Sequence, residues 1–472
     1  MHTQTNGGGL PENAYRELKP GETYEPIVPA DKPVAEITAR SIIIGLIMAV
    51  IFSGACAFLG LKIGQVFEAA IPIAILAVGI SPLFRKKSTI LENVIIQSIG
   101  AASGVVVAGA IFTIPAIFIL KLDVSVFKII AASFLGGCLG ITFMILFRKY
   151  FVSDMHGKFP FPEATATTEV LVVGEKGGSH AVILVISMIV GGLYDFMIYT
   201  MKWFNETFTT SLFEWGKNLQ TKAKIVFDMN ITAAVVGMGY IVGLRYAAII
   251  CAGSFLSWYV LLPLIFHFGS GLNASVIPVT DGTLIKDMDP FMIFKNYVRL
   301  IGIGGIACAG IIGIIKSSKI IWEAVTLGIK EIFMGKKGEE LQDQLRTHKD
   351  MNMGIIFTII IITAILIFLF FKFSVLTCNP NSLKLALIAI GIVIIIAFLF
   401  TSVAARAIAI VGTNPVSGMT LMTLIISSFI LVRSGLTGNE GVVSALIIGG
   451  VVCTALSMAG GFITDLKIGY WI

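Results

Sequence analysis

Long uninterrupted apolar runs dominate the chain. "SIIIGLIMAVIFSGACAFLG" (Ser41 to Gly60) and "LALIAIGIVIIIAFLF" (Leu385 to Phe400) are the clearest. Such runs approach the ~20 residues that an α-helix needs to cross the hydrocarbon core of a bilayer. Inside that core every backbone N–H and C=O must be satisfied within the segment, so the runs fold as helices. The bias extends through the sequence: 56% of the 472 residues are hydrophobic and 13% are charged, against roughly 25% charged in a soluble domain. A soluble fold could not hide this much apolar surface. The predicted fold class is an all-α polytopic membrane protein.

Length and apolarity predict about 10–12 transmembrane segments. They lie near 41–61, 69–84, 90–118, 124–147, 179–201, 230–250, 251–268, 292–315, 354–373, 383–402, 420–434 and 442–460. A polar N-terminal tail, 1–40, precedes a transmembrane domain over 41–472. Inserts fall at 202–228 (amphipathic), 269–290 (polar, turn-rich) and 316–353 (a charged loop with both signs interspersed). Basic residues flank the apolar blocks at Arg85–Lys87 and Arg148–Lys149, which is the positive-inside pattern. Two predicted spans separate these clusters and two precede the first. That places the tail and both clusters in the cytoplasm, and the interspersed charges of 316–353 read as a solvated cytoplasmic helical loop.

The net charge of +6 is thus read as membrane topology, and no nucleic-acid partner is expected. Five of the six cysteines lie within apolar blocks and none forms a CxxC pair. They read as small buried hydrophobes, and neither a metal site nor a cofactor is expected. No Walker lysine motif, HExxH or GxSxG occurs, which argues against an ATP-driven pump or a familiar hydrolase. The chain is not read as an enzyme. The glycine runs "GGCLG" (Gly136 to Gly140) and "GIGGIACAG" (Gly302 to Gly310) read as close helix packing.

Polar groups in hydrocarbon are costly, so the places where they enter are informative. In "KFPFPEATATTEV" (Lys158 to Val170), Pro160 and Pro162 cannot sit inside a regular helix, because each lacks an N–H. Glu163 follows as a first-turn acid at the positive end of a helix dipole. The short run after it cannot span a bilayer. A re-entrant or broken helix fits, because irregular backbone at membrane depth must line a cavity or be buried in protein. A loop followed by an amphipathic helix is the alternative. "STILENVIIQSIGAASG" (Ser88 to Gly104) puts Asn93, Gln97 and Ala101 on one helix face. That face lines a pathway or supplies interhelical hydrogen bonds of about 0.6 kcal/mol each. Glu92 could instead sit at the end nearest Arg85–Lys87, and Pro115 breaks or kinks the far end of the span.

"AARAIAIVGTNPVSGMT" (Ala404 to Thr420) repeats the first pattern: a break at Gly412, Asn414 and Pro415, then a helix of small residues. Paired interrupted segments point to a transporter binding site. Pro160, Pro162, Gly412 and Pro415 are therefore read as helix breaks around one cavity. In "MAGGFITDLKIGYWI", Asp465 and Lys467 directly follow an apolar span. On physics alone they read as the charged flank of an ordinary span end.

The stretches "FLGLKIGQVFEAAIP", "ILENVIIQSIGAASG", "GAIFTIPAIFIL", "FPFPEATATTEVL", "GTNPVSGMT" and "DLKIGY" occur in the order found in the oligopeptide transporter family, which includes the yellow-stripe-like carriers. The chain resembles a prokaryotic member beyond about residue 35. The resemblance implies a proton-coupled secondary importer of short peptides or metal chelates, with roughly sixteen helices built from internal repeats. It also implies further spans after "DLKIGY", so a chain ending at Ile472 is expected to be incomplete relative to the family.

The expected mechanism is alternating access in a multi-pass protein of the cell membrane. Glu163 would present a carboxylate, or titrate, near a peptide's amino end. Asn93 and Gln97 would hydrogen-bond the substrate backbone, with Asn414 and Ser417 on the opposite wall. Glu163, Glu169 and Asp195 are the proton-coupling candidates, because burial raises a carboxyl pKa. The expected partners are a small-molecule substrate (oligopeptide or metal chelate), protons and the lipid bilayer, with a homo-oligomer possible. The rival readings are a passive channel, a membrane-embedded enzyme and a non-functional fragment of a transporter.

Overall fold

The computed structural model of the chain describes residues 9–32, 34–63, 66, 68–84, 86–176, 179–272, 283–334, 351–377, 379–412 and 416–472. Among them the sheet structure is one two-stranded ribbon, and the other regular elements are helices. The chain forms two compact units, Met1–Leu184 with Gly310–Ile472, and Val185–Ala309.

The first unit opens with α1 (Ala39–Ile63), α2 (Ala70–Ile80), α3 (Ile90–Ile111), α4 (Ile114–Ile119), α5 (Val126–Lys149), α6 (Pro162–Lys176) and the start of α7 (Ser179–Tyr199). The second unit takes the rest of α7, then β1 (Thr207–Thr209), α8 (Glu214–Ala223) and β2 (Asp228–Asn230). It continues with α9 (Ala233–Val242), α10 (Leu244–Phe255), α11 (Leu262–Gly269), α12 (Pro290–Ile293) and the start of α13 (Arg299–Met334). The strands pair antiparallel with Phe208 opposite Met229. The chain re-enters the first unit along α13 and completes it with α14 (Met353–Phe370), α15 (Ser382–Val411), α16 (Val416–Arg433) and α17 (Gly438–Trp471).

Among the described residues eight helical stretches are long and apolar enough to cross a membrane: 39–61, 90–111, 126–154, 244–269, 290–313, 353–375, 382–411 and 438–471. Shorter apolar helices lie at 70–80, 185–199, 233–242 and 418–433. The expected class, an all-α polytopic membrane protein, is what the chain forms.

Several expected boundaries move, each for a local reason. The span near 90–118 splits, because α3 stops at Ile111 and Pro115 sits in the first turn of α4, where its missing N–H costs nothing. The break expected at 250 lies at Gly243, whose φ of +81 separates α9 from α10. α13 runs on to Met334, into the expected 316–353 insert, whose residues 335–350 lie outside the described set. The 202–228 insert holds an amphipathic helix, α8, framed by the ribbon. The last span is longer than expected. α17 continues without interruption through Asp465 and Lys467 to Trp471, which overturns the reading of those residues as a flank beyond a span end.

α17 is the core of the first unit and packs against α3, α5, α15 and α16. Of its most apolar window 83% is buried inside the protein, against 17% for α1. A helix buried on all sides must let its neighbours approach closely, and small residues permit this. At Gly140 of α5 a Cβ would overlap the carbonyl of Ala455 on α17. The other glycine run behaves differently: Gly302, Gly304 and Gly305 face open space among the described residues, so close packing does not account for them.

The N-terminal tail is not a loose polar extension. Leu10, Ala14 and Val28 are buried in a cluster with Phe151, Phe161 and Trp471. The Val28 N–H donates to Ile472 O at 2.8 Å, and the Tyr24 hydroxyl donates to Trp471 O at 2.8 Å.

Candidate substrate and proton site

The break before α6 is built by backbone. Phe161 has φ +42, a left-handed conformation that a bulky residue adopts only when its surroundings hold it there. Two features hold it. The ring is buried, and the N–H donates to Ala409 O of α15 at 2.9 Å. α15 itself ends at Gly412, with φ +78 and an N–H bonded to Ile408 O at 2.8 Å. A Cβ on Gly412 would lie 2.8 Å from Cγ of Pro162. The Gly412 end of the second interruption thus abuts the start of the helix that follows the first. Asn414, Pro415 and the side chain of Ser417 lie outside the described residues.

Pro162 and Glu163 open α6, a helix of 15 residues. At ~1.5 Å per residue it is roughly 22 Å long, short of the ~30 Å hydrocarbon core. α2, with 11 residues, is shorter still, and it packs on α6. Just before α2 stands Glu68. Two short helices thus lie together, each with a glutamate at its N-terminal end.

Glu163 is 2% exposed, and both of its carboxyl oxygens lack a hydrogen-bond partner among the described residues. One turn on, Thr167 is fully buried and its hydroxyl is also unpartnered. α3 packs on α6 and presents Asn93 and Gln97, both buried, with Asn93 Oδ1 and Gln97 Oε1 unpartnered. The Gln97 amide donates through Nε2 to Asp465 Oδ1 of α17 at 3.0 Å. Glu68 reaches the same helix, with Oε1 3.3 Å from where a Cβ on Gly461 would stand. Burial, and then the nearby Glu68 and Asp465, push the Glu163 carboxyl well above the ordinary carboxylate range. Burial, and then Asp465, push Glu68 up as well. Glu68 and Glu163 both lie outside the eight spanning stretches. Among the described residues no group of three metal-ligating side chains converges on a point, so the three carboxyls share an environment rather than a single ligand position.

The other sequence candidates sit elsewhere. Glu169 is partly exposed on α6 and accepts a hydrogen bond from the Tyr15 hydroxyl of the tail. Asp195 belongs to the second unit, where its Oδ1 accepts from the N–H of Ala233 at 2.8 Å and holds the start of α9. Glu92 is engaged at the end of its helix. It pairs with Arg40, accepts from Thr38 Oγ1 at 2.6 Å and closes a capping box with Thr89.

The chain matches the family described as OPT oligopeptide transporter protein over residues 36–472. It belongs to that family. The resemblance carried by the proline-marked motifs is thereby borne out. A "Putative oligopeptide transporter" of Haemophilus influenzae is 25% identical over 431 residues, covering 87% of this chain and 64% of that relative. The chain therefore spans a little under two thirds of its relative's length. No solved structure matches it.

Sequence reasoning missed Glu68 and set Asp465 aside. A signal for Glu68 was present: "FEAAIP" and "PFPEATA" both place a glutamate before alanine at the head of a short run between apolar blocks. Asp465 had a weaker one. It lies eleven residues after Thr454 in a run rich in glycine and alanine, which favours an interior helix over a peripheral one.

Proposed function

We propose that this OPT family member moves short oligopeptides, or peptide-like and metal-chelate substrates, across the cell membrane as a secondary carrier. Uptake is coupled to protons by alternating access, and the tail lies on the cytoplasmic side. Glu163 carries the proton and meets the substrate, Asn93 and Gln97 hydrogen-bond it, and Asn414 and Ser417 face it from the second interruption. Glu169 and Asp195 remain secondary proton candidates, with the partners noted above.

One observation supports this reading most. Glu163 is a buried carboxyl, in the first turn of a helix too short to span, with neither oxygen hydrogen-bonded among the described residues. A buried polar group without a partner costs about 1–3 kcal/mol, and ionisable residues at membrane depth are functional by default. The short helices α2 and α6 match the interrupted helices on which broken-helix carriers build their sites. The chain's share of its relative's length makes the test one for the chain itself. In proteoliposomes carrying this chain, a pH gradient (acid outside) drives uptake of a labelled tripeptide, and Glu163→Gln abolishes gradient-driven uptake. Unchanged uptake and coupling in that variant would remove Glu163 from the mechanism.

A further inference from the structure

Among the described residues, the fully buried side-chain atoms of the site that find no partner are all oxygens. Glu163 Oε1 and Oε2, Asn93 Oδ1 and Gln97 Oε1 are carboxyl or carbonyl oxygens, and Thr167 Oγ1 both donates and accepts. All belong to side chains at most 2% exposed. The Gln97 amide group, which could have supplied a donor, is turned to Asp465 instead. The charged groups that act on Glu163 are Glu68 and Asp465, both acidic. The one nearby cation on the same helix, Lys467, is committed elsewhere. Its Nζ donates to Val152 O at 2.8 Å and lies 4.5 Å from the ring centre of Tyr470 and 4.9 Å from that of Trp471.

A buried set of acceptors is satisfied by a ligand that brings donors, and a buried set of carboxyls by one that brings positive charge. An ammonium group does both, with three N–H donors on one compact cation. A carboxylate or a phosphate does neither, and it would meet three acidic side chains. We infer that this site takes the cationic, ammonium-bearing end of its substrate, which Glu163 meets in surroundings that Glu68 and Asp465 make acidic. The inference rests on the carrier reading and deepens it in two ways. It gives the expectation that Glu163 meets a peptide's amino end a structural basis, and it adds Glu68, which sequence reasoning missed, and Asp465, which it had set aside.

A charge relation follows. Protons and an ammonium group compete for the same carboxyls, so each neutralises what the other would. The titratable groups facing the site are Glu68 from the α1–α2 connection, Glu163 from α6, Asp465 from α17 and the thiol of Cys56 on α1, on which Glu68 and Glu163 act. Binding of a monocation therefore strengthens as the pH rises and the carboxyls lose protons.

The test uses the full chain in detergent, with thermal unfolding as the readout and four probes: trialanine, N-acetyl-trialanine, propylammonium and propionate. Trialanine and propylammonium are expected to stabilise the protein, while N-acetyl-trialanine and propionate bind at least ~10-fold more weakly, equivalent to about 1.4 kcal/mol. Glu68→Gln and Asp465→Asn each reduce the preference for trialanine over its acetylated form at least threefold. Stabilisation by propylammonium without any by trialanine would uphold the ammonium site and sink the peptide substrate. Equal stabilisation by both peptides would overturn the ammonium site and leave the carrier reading standing. A preference unchanged in both variants would remove Glu68 and Asp465 from the site. No stabilisation by any probe would overturn both readings. The comparison within the unaltered chain does not depend on either variant folding.

Discussion

Asp465 and Lys467 stand two residues apart on α17, and they live in opposite surroundings. Two residues turn a helix by roughly 200°, so the two side chains leave it on different sides. Asp465 joins Gln97, near Glu68 and Glu163, where four buried oxygens find no donor among the described residues. Lys467 is 1% exposed, yet its ammonium is well provided for, with the Val152 carbonyl beneath it and the rings of Phe161, Tyr470 and Trp471 around it. Cation–π contacts of this kind contribute ~0.5–2 kcal/mol each. The tail closes over the same end. Tyr24 stacks on Tyr470 with ring centres 5.3 Å apart, and His156 Nε2 donates to Asn13 O at 2.7 Å. Burial holds the His156 imidazole toward its neutral form. The charged groups at the two places thus differ in satisfaction, although His156 Nδ1 and Trp471 Nε1 near Lys467 also find no partner among the described residues. Lys467 and the tail form a structural latch, whereas among the described residues the Glu163 carboxyl, Asn93 Oδ1 and Gln97 Oε1 have no donor.

The largest effect is expected at the junction of the two. Phe161→Ala removes a ring that is 1% exposed, touches Lys467 and packs against Trp471. Truncating a buried phenylalanine costs about 3–5 kcal/mol, and the left-handed backbone at this position loses the packing that holds it. The variant should show a clearly lowered midpoint of thermal unfolding. A midpoint close to that of the unaltered chain would mean that the ring does not hold the break.

The carboxyl cluster should respond in the opposite direction. Glu163→Gln replaces a titratable buried acid with a neutral side chain of the same shape, and it should stabilise the protein increasingly as the pH rises, because the amide has no charge to bury, while removing coupled uptake. The pH dependence has a definite sign. Burial raises the Glu163 pKa, so the folded state favours the protonated acid. Its stability contribution is fully present below the ordinary glutamate value of about 4.3 and is lost as the pH rises through the folded-state value. Glutamine does not titrate. The gap in unfolding midpoint between Glu163→Gln and the unaltered chain should therefore widen from pH 5 to pH 8. A constant gap would show that Glu163 keeps the same protonation in both folded and unfolded chains.

A smaller effect is expected where the two interruptions meet. Gly412 has φ +78, and a Cβ there would lie 2.8 Å from Pro162 Cγ. Gly412→Ala incurs the left-handed penalty of about 1–2 kcal/mol and pushes α15 off the start of α6. The expected signature is weakened substrate binding together with a modest loss of stability. Lost stability with unchanged binding would make the junction a packing feature alone.

Much of this was legible in the sequence, for reasons that the particular residues make plain. The apolar runs fixed the class, because length and lack of charge leave a chain no other fold in lipid. Pro160, Pro162 and Gly412 marked the breaks, because a missing N–H and a left-handed backbone are local properties. Asn93 and Gln97 drew notice through their four-residue spacing, and both prove buried. What local pattern could not show is which face of α17 meets which helix. Asp465 resembled a flank because it stands beside Lys467, and only three-dimensional packing reveals that both are interior. Asp195 and Glu169 looked equivalent to Glu163 as acids in apolar surroundings. Their partners, the Ala233 N–H and the Tyr15 hydroxyl, lie 38 and 154 residues away in sequence.

The smallest expected effect tests whether the latch is truly the satisfied partner in this comparison. Tyr24→Phe keeps the ring that stacks on Tyr470 and removes only the hydroxyl that donates to Trp471 O. A single neutral hydrogen bond contributes about 0.5–1.5 kcal/mol. The carbonyl it leaves still accepts from the Ile27 N–H at 3.3 Å, so the loss should fall near the lower bound. Binding of trialanine should not change, because no polar atom of the carboxyl cluster is touched. A Tyr24→Phe variant that binds substrate several-fold more weakly at unchanged stability would show that the tail shapes the site. The two clusters would then be one functional unit rather than a latch beside a binding chamber.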